Sequence, residues 1–107
     1  MGKSQRIKGS VYERDVCHAI EDATGIKVNR NIGQSRDGGD DITLPPYRIE
    51  CKRRASISTY VWMDQCAKSC GPTDVPVVIA RGDGRESLVV MRFDDWIKLA
   101  MEEICKK

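Results

Sequence analysis

Residues 37–54 read Asp-Gly-Gly-Asp-Asp-Ile-Thr-Leu-Pro-Pro-Tyr-Arg-Ile-Glu-Cys-Lys-Arg-Arg, and this stretch decides the fold. It predicts a β-hairpin, because a short apolar run is followed by Pro45-Pro46, and proline fixes φ and cannot donate to a strand ladder. Side chains alternate between the faces of a strand, so Glu50 and Lys52 share one face of the return strand. A carboxylate and an ammonium so placed, facing a carboxylate on the neighbouring strand, can hold a hard cation and a water molecule.

The chain has 107 residues, of which 40% are apolar and 32% charged, so we expect one soluble globular domain. No segment has the length and hydropathy of a membrane span and no signal peptide is recognisable, which predicts a cytoplasmic protein without a membrane partner. The net charge is only +2, but residues 1–54 carry 11 Lys/Arg against 8 Asp/Glu. Metal bound at the acidic residues would leave a basic surface that attracts phosphates.

Five cysteines occur at irregular spacing, and no pair of them forms a Cys-x-x-Cys motif. The single histidine, His18, does not complete a zinc-ligand set with them. We therefore expect reduced cysteines that serve as small core residues.

The remaining elements follow from capping and periodicity. A flexible basic N-terminus, residues 1–8, precedes a domain at 9–107. Its first helix is predicted to begin at Ser10, which forms a capping box with Glu13, and to end at Gly25.

Further along, strands are predicted at 26–32, 75–81 and 86–92, and a second helix at 56–69 capped by Ser58 or Thr59. Asp94 is expected to cap a last helix with one apolar inner face. That face comprises Trp96, Ile97, Ala100, Met101 and Ile104. The order αβββαββα predicts an α/β fold, with a central mixed sheet flanked by helices.

Three motifs in this order resemble those of the PD-(D/E)XK nuclease superfamily, and most of all those of archaeal-type and phage Holliday junction resolvases. They are Gly9-x-x-x-Glu13-Arg14 on the first helix, Asp41-Ile42 opening a strand, and Ile49-Glu50-Cys51-Lys52 on the next strand. The resemblance covers about residues 6–81 and implies a restriction-endonuclease-like domain. The family's first acidic motif is often Pro-Asp, whereas this chain has Asp40-Asp41. We assign Asp41, because it directly precedes the apolar strand residues, and keep Asp40 as an auxiliary carboxylate.

The resemblance implies Mg²⁺-dependent phosphodiester hydrolysis, with Mn²⁺ as a substitute and no small-molecule cofactor. Asp41, Glu50, the Cys51 backbone carbonyl and Glu13 are the implied metal ligands, and Lys52 is the residue that orients or deprotonates water. Each assignment has a simpler alternative. Glu13 could only complete the capping box, the two aspartates could be loop residues, and Glu50 with Lys52 could be an ion pair on a solvated face.

Basic and polar residues near these motifs are candidate DNA contacts. They are Arg14, Arg30, Ser35, Arg36, Arg53 and Arg54. Gln65 on the second helix is a candidate for positioning Lys52 or a phosphate, against a plain exposed amide. Any single arginine is more often solvated surface, but the cluster favours phosphate contact. Trp62 and Trp96 are interpreted as core or interface residues.

We expect a structure-selective DNA endonuclease, in particular a Holliday junction resolvase of recombination and repair in a bacterial, archaeal or phage-infected cell. Two symmetric cuts in a four-way junction need two active sites, which implies a homodimer. The alternatives are another nuclease of the superfamily, of repair, nicking or restriction type, a non-catalytic DNA-binding module on the same fold, or an accidental motif match.

Overall fold

The computed structural model describes the backbone of residues 2–30 and 42–106, and the side chains of these residues except 2–8 and 29. Three helices and five strands follow the predicted order. They are α1 (Gly2–Thr24), β1 (Asn29–Arg30), β2 (Ile42–Leu44), β3 (Tyr47–Arg53), α2 (Thr59–Lys68), β4 (Val75–Arg81), β5 (Leu88–Met91) and α3 (Phe93–Ile104). Within this part of the chain, no helix combines the length and the apolar character that crossing a membrane requires.

The strands form one mixed sheet in the order β1-β2-β3-β4-β5. Neighbouring strands are antiparallel except for β3 and β4, which are parallel and joined through α2, as a parallel pair requires a long crossover. The predicted hairpin is the β2–β3 pair, in which Ile42 lies opposite Ile49 and Leu44 opposite Tyr47. The α/β class, the mixed sheet and the element order are therefore confirmed.

Helices cover the sheet from both sides, and each side has its own core. On one side, Tyr12 and Val16 of α1 pack with Ile49 and Cys51 of β3. On the other side, three side chains of α2 pack with two of β4: Trp62, Met63, Cys66, Val78 and Ala80. Because β3 and β4 are covered on both faces, β4 is a nearly continuous apolar strand, as its sequence predicts.

The first helix is longer than predicted, because it begins at Gly2 rather than at Ser10. Lys, Gln, Arg and Ile between positions 3 and 8 are compatible with a helix, so nothing in the sequence stops α1 from extending upstream. Ser10 then lies inside the helix, and the capping box predicted for Ser10 and Glu13 is wrong. The predicted end is confirmed: Gly25 has φ +74° and its N–H donates to the Glu21 carbonyl at 2.8 Å.

The last helix differs from the prediction in two ways. It begins at Phe93 with Arg92 as N-cap residue, so Asp94 does not cap it but lies in its first turn, where a carboxylate favours the helix dipole. Its apolar face does not point into the core, because no residue of α3 is buried. Trp96 is accordingly exposed, whereas Trp62 is a core residue, as expected.

All five cysteines are free thiols, and Cys17, Cys51 and Cys66 are buried, which confirms the prediction for these three. The Cys66 thiol lies between α2 and the sheet and donates to the Arg48 carbonyl at 3.3 Å. Cys70 is half-buried and Cys105 is exposed, so these two are not core residues.

Candidate active site

The charged and the apolar side chains of β3 lie on opposite faces of the strand, as the alternation in its sequence predicts. Ile49 and Cys51 point to the α1 side and are buried there. Glu50 and Lys52 point to the α2 side, since their partners in the parallel register are Val78 and Ala80 of the α2-side core. The charged pair therefore lies against an apolar wall rather than in open solvent.

Glu50 and Lys52 form an ion pair in which the Lys52 Nζ lies 3.0 Å from the Glu50 Oε2. Glu50 is only 2% exposed, and the Lys52 side chain is 19% exposed. The alternative that this pair lies on a solvated face is therefore wrong. Burying a carboxylate costs several kcal/mol unless an opposite charge or a hydrogen-bond donor compensates it, and Lys52 provides that charge.

The described ladder between β2 and β3 ends at the pair Ile42–Ile49, whereas β3 and β4 stay paired through Arg53 and Arg81. Glu50 follows directly after Ile49, the last residue of β3 that has a described partner in β2.

Four predicted site residues lie outside the described residues: Ser35, Arg36, Asp40 and Asp41. The choice of Asp41 over Asp40 as metal ligand stays a prediction.

Glu13 is bound to a basic side chain rather than to the helix backbone. Its Oε1 lies 3.3 Å from the Arg30 Nη2, and the same guanidinium group donates to the carbonyl and the hydroxyl of Ser10. Arg30 thus ties β1 to α1. Since α1 packs on the side of the sheet opposite to Glu50, a metal-binding role of Glu13 stays a prediction.

Three of the arginines predicted to contact DNA lie on α1 or near the end of β3, and the two near β3 are half-buried. Arg14 is exposed on α1. Arg53 pairs with Asp83 at 3.7 Å, and the Arg54 guanidinium donates to the Arg53 carbonyl at 3.1 Å. These contacts hold both guanidinium groups at the carboxyl ends of β3 and β4, three or four residues after Glu50.

Sequence reasoning missed Arg81, which the parallel register sets beside Arg53. Its Nε donates to the Arg85 carbonyl at 2.6 Å across the turn that follows β4. The two arginines are 28 residues apart in the sequence, so only the parallel pairing of β3 and β4 brings them together. The basic cluster at this end of the sheet therefore comprises Arg53, Arg54 and Arg81.

Gln65 lies on the exposed side of α2, whereas Trp62 and Cys66 face the sheet. Its role towards Lys52 or a phosphate stays a prediction.

On the α1 side, the Tyr12 hydroxyl and the Ser87 hydroxyl are 2.7 Å apart and link α1 to the segment before β5. Burial raises the pKa of Tyr12 above its ordinary value, and the hydrogen bond to Ser87 offsets part of that rise.

The described residues alone do not complete a metal site, because no three His, Cys, Asp or Glu side chains among them could hold one ion together. Glu50 is a buried carboxylate at the point where the described β2–β3 ladder ends. Its oxygens are of the type that Mg²⁺ prefers. The donor chemistry therefore fits a hard cation, with the second carboxylate expected from the segment before Ile42.

Comparison with known proteins adds one finding. A family model described as "Phage putative PDDEXK endonuclease" matches residues 4–106, which is nearly the whole chain. No curated protein and no solved structure matches the chain.

Proposed function

The chain belongs to the family of phage putative PDDEXK endonucleases, and on that premise we propose that it hydrolyses DNA phosphodiester bonds at a metal site formed by Asp41, Glu50 and Lys52. The observation that carries this proposal is the buried Glu50–Lys52 ion pair at 3.0 Å on the central strand β3. A carboxylate and a lysine at this spacing on one strand are the second acidic residue and the lysine of the motif that gives the family its name.

The register of the hairpin supports Asp41 over Asp40 as the second carboxylate. Ile42 pairs with Ile49 in an antiparallel ladder, and directly opposite residues point to the same face. Continuing that ladder by one residue would set position 41 opposite Glu50, on the face that carries Lys52. Position 40 would then point to the other face. Asp41, Glu50 and the Cys51 carbonyl are the proposed ligands of Mg²⁺ or Mn²⁺.

A divalent ion held by these oxygens would supply Lewis acidity towards the scissile phosphate and would lower the pKa of a bound water. Lys52 orients the attacking water and offsets the negative charge that develops on the phosphorus oxygens. Its ammonium group can serve both purposes, because Glu50 already holds it at the edge of the buried site. Glu13, on the helix at the other side of the sheet, is proposed as an auxiliary acidic residue that would act through a water molecule or a second ion, and its carboxylate holds the Arg30 guanidinium group.

DNA is held mainly through its phosphates. Arg53 and Arg54 at the end of β3, with Arg30, Arg14, Ser35 and Arg36, supply contacts that carry little sequence information. The domain is small and its described part has no separate base-reading module, which favours recognition of DNA shape. We therefore propose branched DNA, in particular the four-way junction, as substrate, and a homodimer that makes two symmetric cuts.

The test compares labelled four-way junction, flap, single-stranded and linear duplex DNA, each with Mg²⁺ and with chelator. Glu50→Gln and Asp41→Asn are expected to abolish cleavage, while the matched control Asp40→Asn keeps most of it. Paired nicks near the branch point that require Mg²⁺ support the resolvase. Equal cleavage of linear duplex would show another nuclease of the superfamily, and binding without any cleavage would show a DNA-binding module.

A further inference from the structure

The last helix exposes an apolar face that the described part of the chain does not cover. Six side chains lie within one arc of α3, at helical spacing: Phe93, Trp96, Ile97, Ala100, Met101 and Ile104. None of them is buried, and neither core cluster includes a residue of α3. Phe93 and Ile104, at the two ends of this face, are 69% and 71% exposed. We call these six residues the α3 face.

The protomer's own sheet is badly placed to cover the α3 face. A single residue, Arg92, separates the end of β5 at Met91 from the start of α3 at Phe93. A helix that turns back over its preceding strand usually needs a connection of roughly 2–6 residues. The residues whose side chains are not described contribute just three large apolar side chains, those of Met1, Ile7 and Ile32. They are too few to cover the whole α3 face.

The size of the exposed surface fits a protein partner. From the exposed fractions of its side chains, the α3 face presents on the order of 600 Å² of surface, against roughly 800 Å² per partner in a stable complex. A patch of about 600 Å² is at the upper end of what monomeric proteins expose, and patches of that size are often functional. Leu88 and Val89 on the neighbouring edge strand β5 are also exposed, and because successive strand residues point to opposite faces, one of the two can extend this surface.

We propose that a second copy of this chain docks on the α3 face, with the two α3 helices antiparallel about a two-fold axis. In such an interface residue i of one protomer meets residue j of its partner, and j meets i. Pairing Phe93 with position 104 of the partner also pairs Trp96 with position 101 and Ile97 with position 100. Every side chain of the α3 face then meets an apolar side chain, so the face is complementary to itself.

The antiparallel arrangement is favoured over the parallel one by packing. In a parallel pair each residue meets its own copy, so Ala100 would face Ala100 and leave space in that layer. In the antiparallel pair the small Ala100 faces the large Ile97, and alternation of large and small side chains fills an interface without voids. The opposed directions of the two helix dipoles add to this preference.

This inference rests in part on the homodimer of the proposed function, and it assigns the surface that forms that dimer. The surface itself is argued from the exposure of α3 and not from nuclease chemistry. Oligomeric state is therefore measured without DNA and without metal, so that a failure of the dimer and a failure of the nuclease can be told apart.

The main test is sedimentation equilibrium of the wild type, Ile97→Asp and Leu99→Asp. Leu99 is a matched control, because it is exposed to a similar extent, 42% against 38% for Ile97, but lies on the other side of the same helix. We expect a wild-type dimer of twice the 12.0 kDa chain mass. Ile97→Asp should raise the dissociation constant at least about 30-fold, as expected for a central interface residue, while Leu99→Asp changes it little.

Circular dichroism of each variant checks that the exposed substitution leaves the fold intact. A monomeric wild type that cuts DNA would overturn the α3 interface and leave the nuclease standing. A wild-type dimer that Ile97→Asp does not weaken would show that another surface is used. A dimer that Ile97→Asp dissociates, in a protein that cuts no DNA, would support the interface and overturn the nuclease.

A second test addresses the direction of the helices. In a Cys105→Ser background, Phe93→Cys protein and Ile104→Cys protein are treated with a short thiol cross-linker, singly and as a mixture. The antiparallel pair predicts cross-linked dimer in the mixture and little in either protein alone. Strong cross-linking of Phe93→Cys with itself would overturn the antiparallel arrangement.

Discussion

Replacing Lys52 by methionine is expected to destabilise the fold strongly. The substitution keeps most of the side-chain volume, but it takes away the ammonium group 3.0 Å from a carboxylate that is only 2% exposed. Removing one partner of a buried ion pair costs about 3–5 kcal/mol. For a domain of about 100 residues each kcal/mol lowers the melting temperature by roughly 4 °C, so we expect a fall of about 12–20 °C.

The opposite substitution should cost much less. Glu50→Gln leaves a neutral amide in the buried position, and the Lys52 side chain, at 19% exposed, can hydrate its ammonium group. We expect a loss of about 1–2 kcal/mol, close to the cost of an imperfectly replaced hydrogen bond. In the double variant no buried charge remains at the pair, so it should be about as stable as Glu50→Gln alone. The two substitutions are therefore strongly non-additive.

Urea unfolding followed by circular dichroism at neutral pH, with chelator present, measures all three variants. Lys27→Met is the control, because Lys27 is exposed and a surface change of this kind stays within about 0.5 kcal/mol. A loss of less than about 1 kcal/mol for Lys52→Met, or a loss no larger than that of Glu50→Gln, would show that the carboxylate does not depend on Lys52.

Three further predictions concern the metal, a hydrogen bond and pH. Mg²⁺ should raise the melting temperature of the wild type but not that of Glu50→Gln, because an ion that binds only the folded state stabilises that state. Equal rises in the melting temperature of both proteins would show that the ion binds elsewhere. Tyr12→Phe and Ser87→Ala should each cost about 1 kcal/mol in urea unfolding, and the double variant little more, because both remove one 2.7 Å hydrogen bond. Burial raises the pKa of Cys17, so its contribution to stability is complete below the thiol's unfolded pKa and is lost as pH rises through the folded one. Cys17→Ala should flatten that loss at alkaline pH, and an unchanged slope would contradict it.

The hairpin and the division of its faces could be predicted from the sequence because both depend on neighbouring residues. Strand alternation assigns Glu50 and Lys52 to one face whatever the rest of the fold does. The turn at Pro45-Pro46 is equally local, and so is the end of α1 at Gly25, where φ is positive. Strand alternation does not predict how deeply a side chain is buried, and it is burial that distinguishes this ion pair from a solvated one.

The features that the sequence did not predict correctly depend on distant residues, or on whether another part of the molecule covers a surface. The amphipathic pattern of α3 predicts which side chains share a face, but not whether anything covers them. Arg81 reaches the basic cluster only through its register with Arg53. Ser10 has the sequence of a cap, yet the residues upstream continue the helix, so a local capping preference is overridden.

The position of the ion pair is itself an argument for function. Glu50 and Lys52 lie opposite Val78 and Ala80, where apolar side chains could pack and contribute to the core. A buried ion pair is often no more stabilising than apolar residues of the same volume. A core that only had to be stable would have no need of a carboxylate here. The proposed metal site accounts for both groups, because a carboxylate suits a hard cation and an ammonium group suits the phosphate beside it.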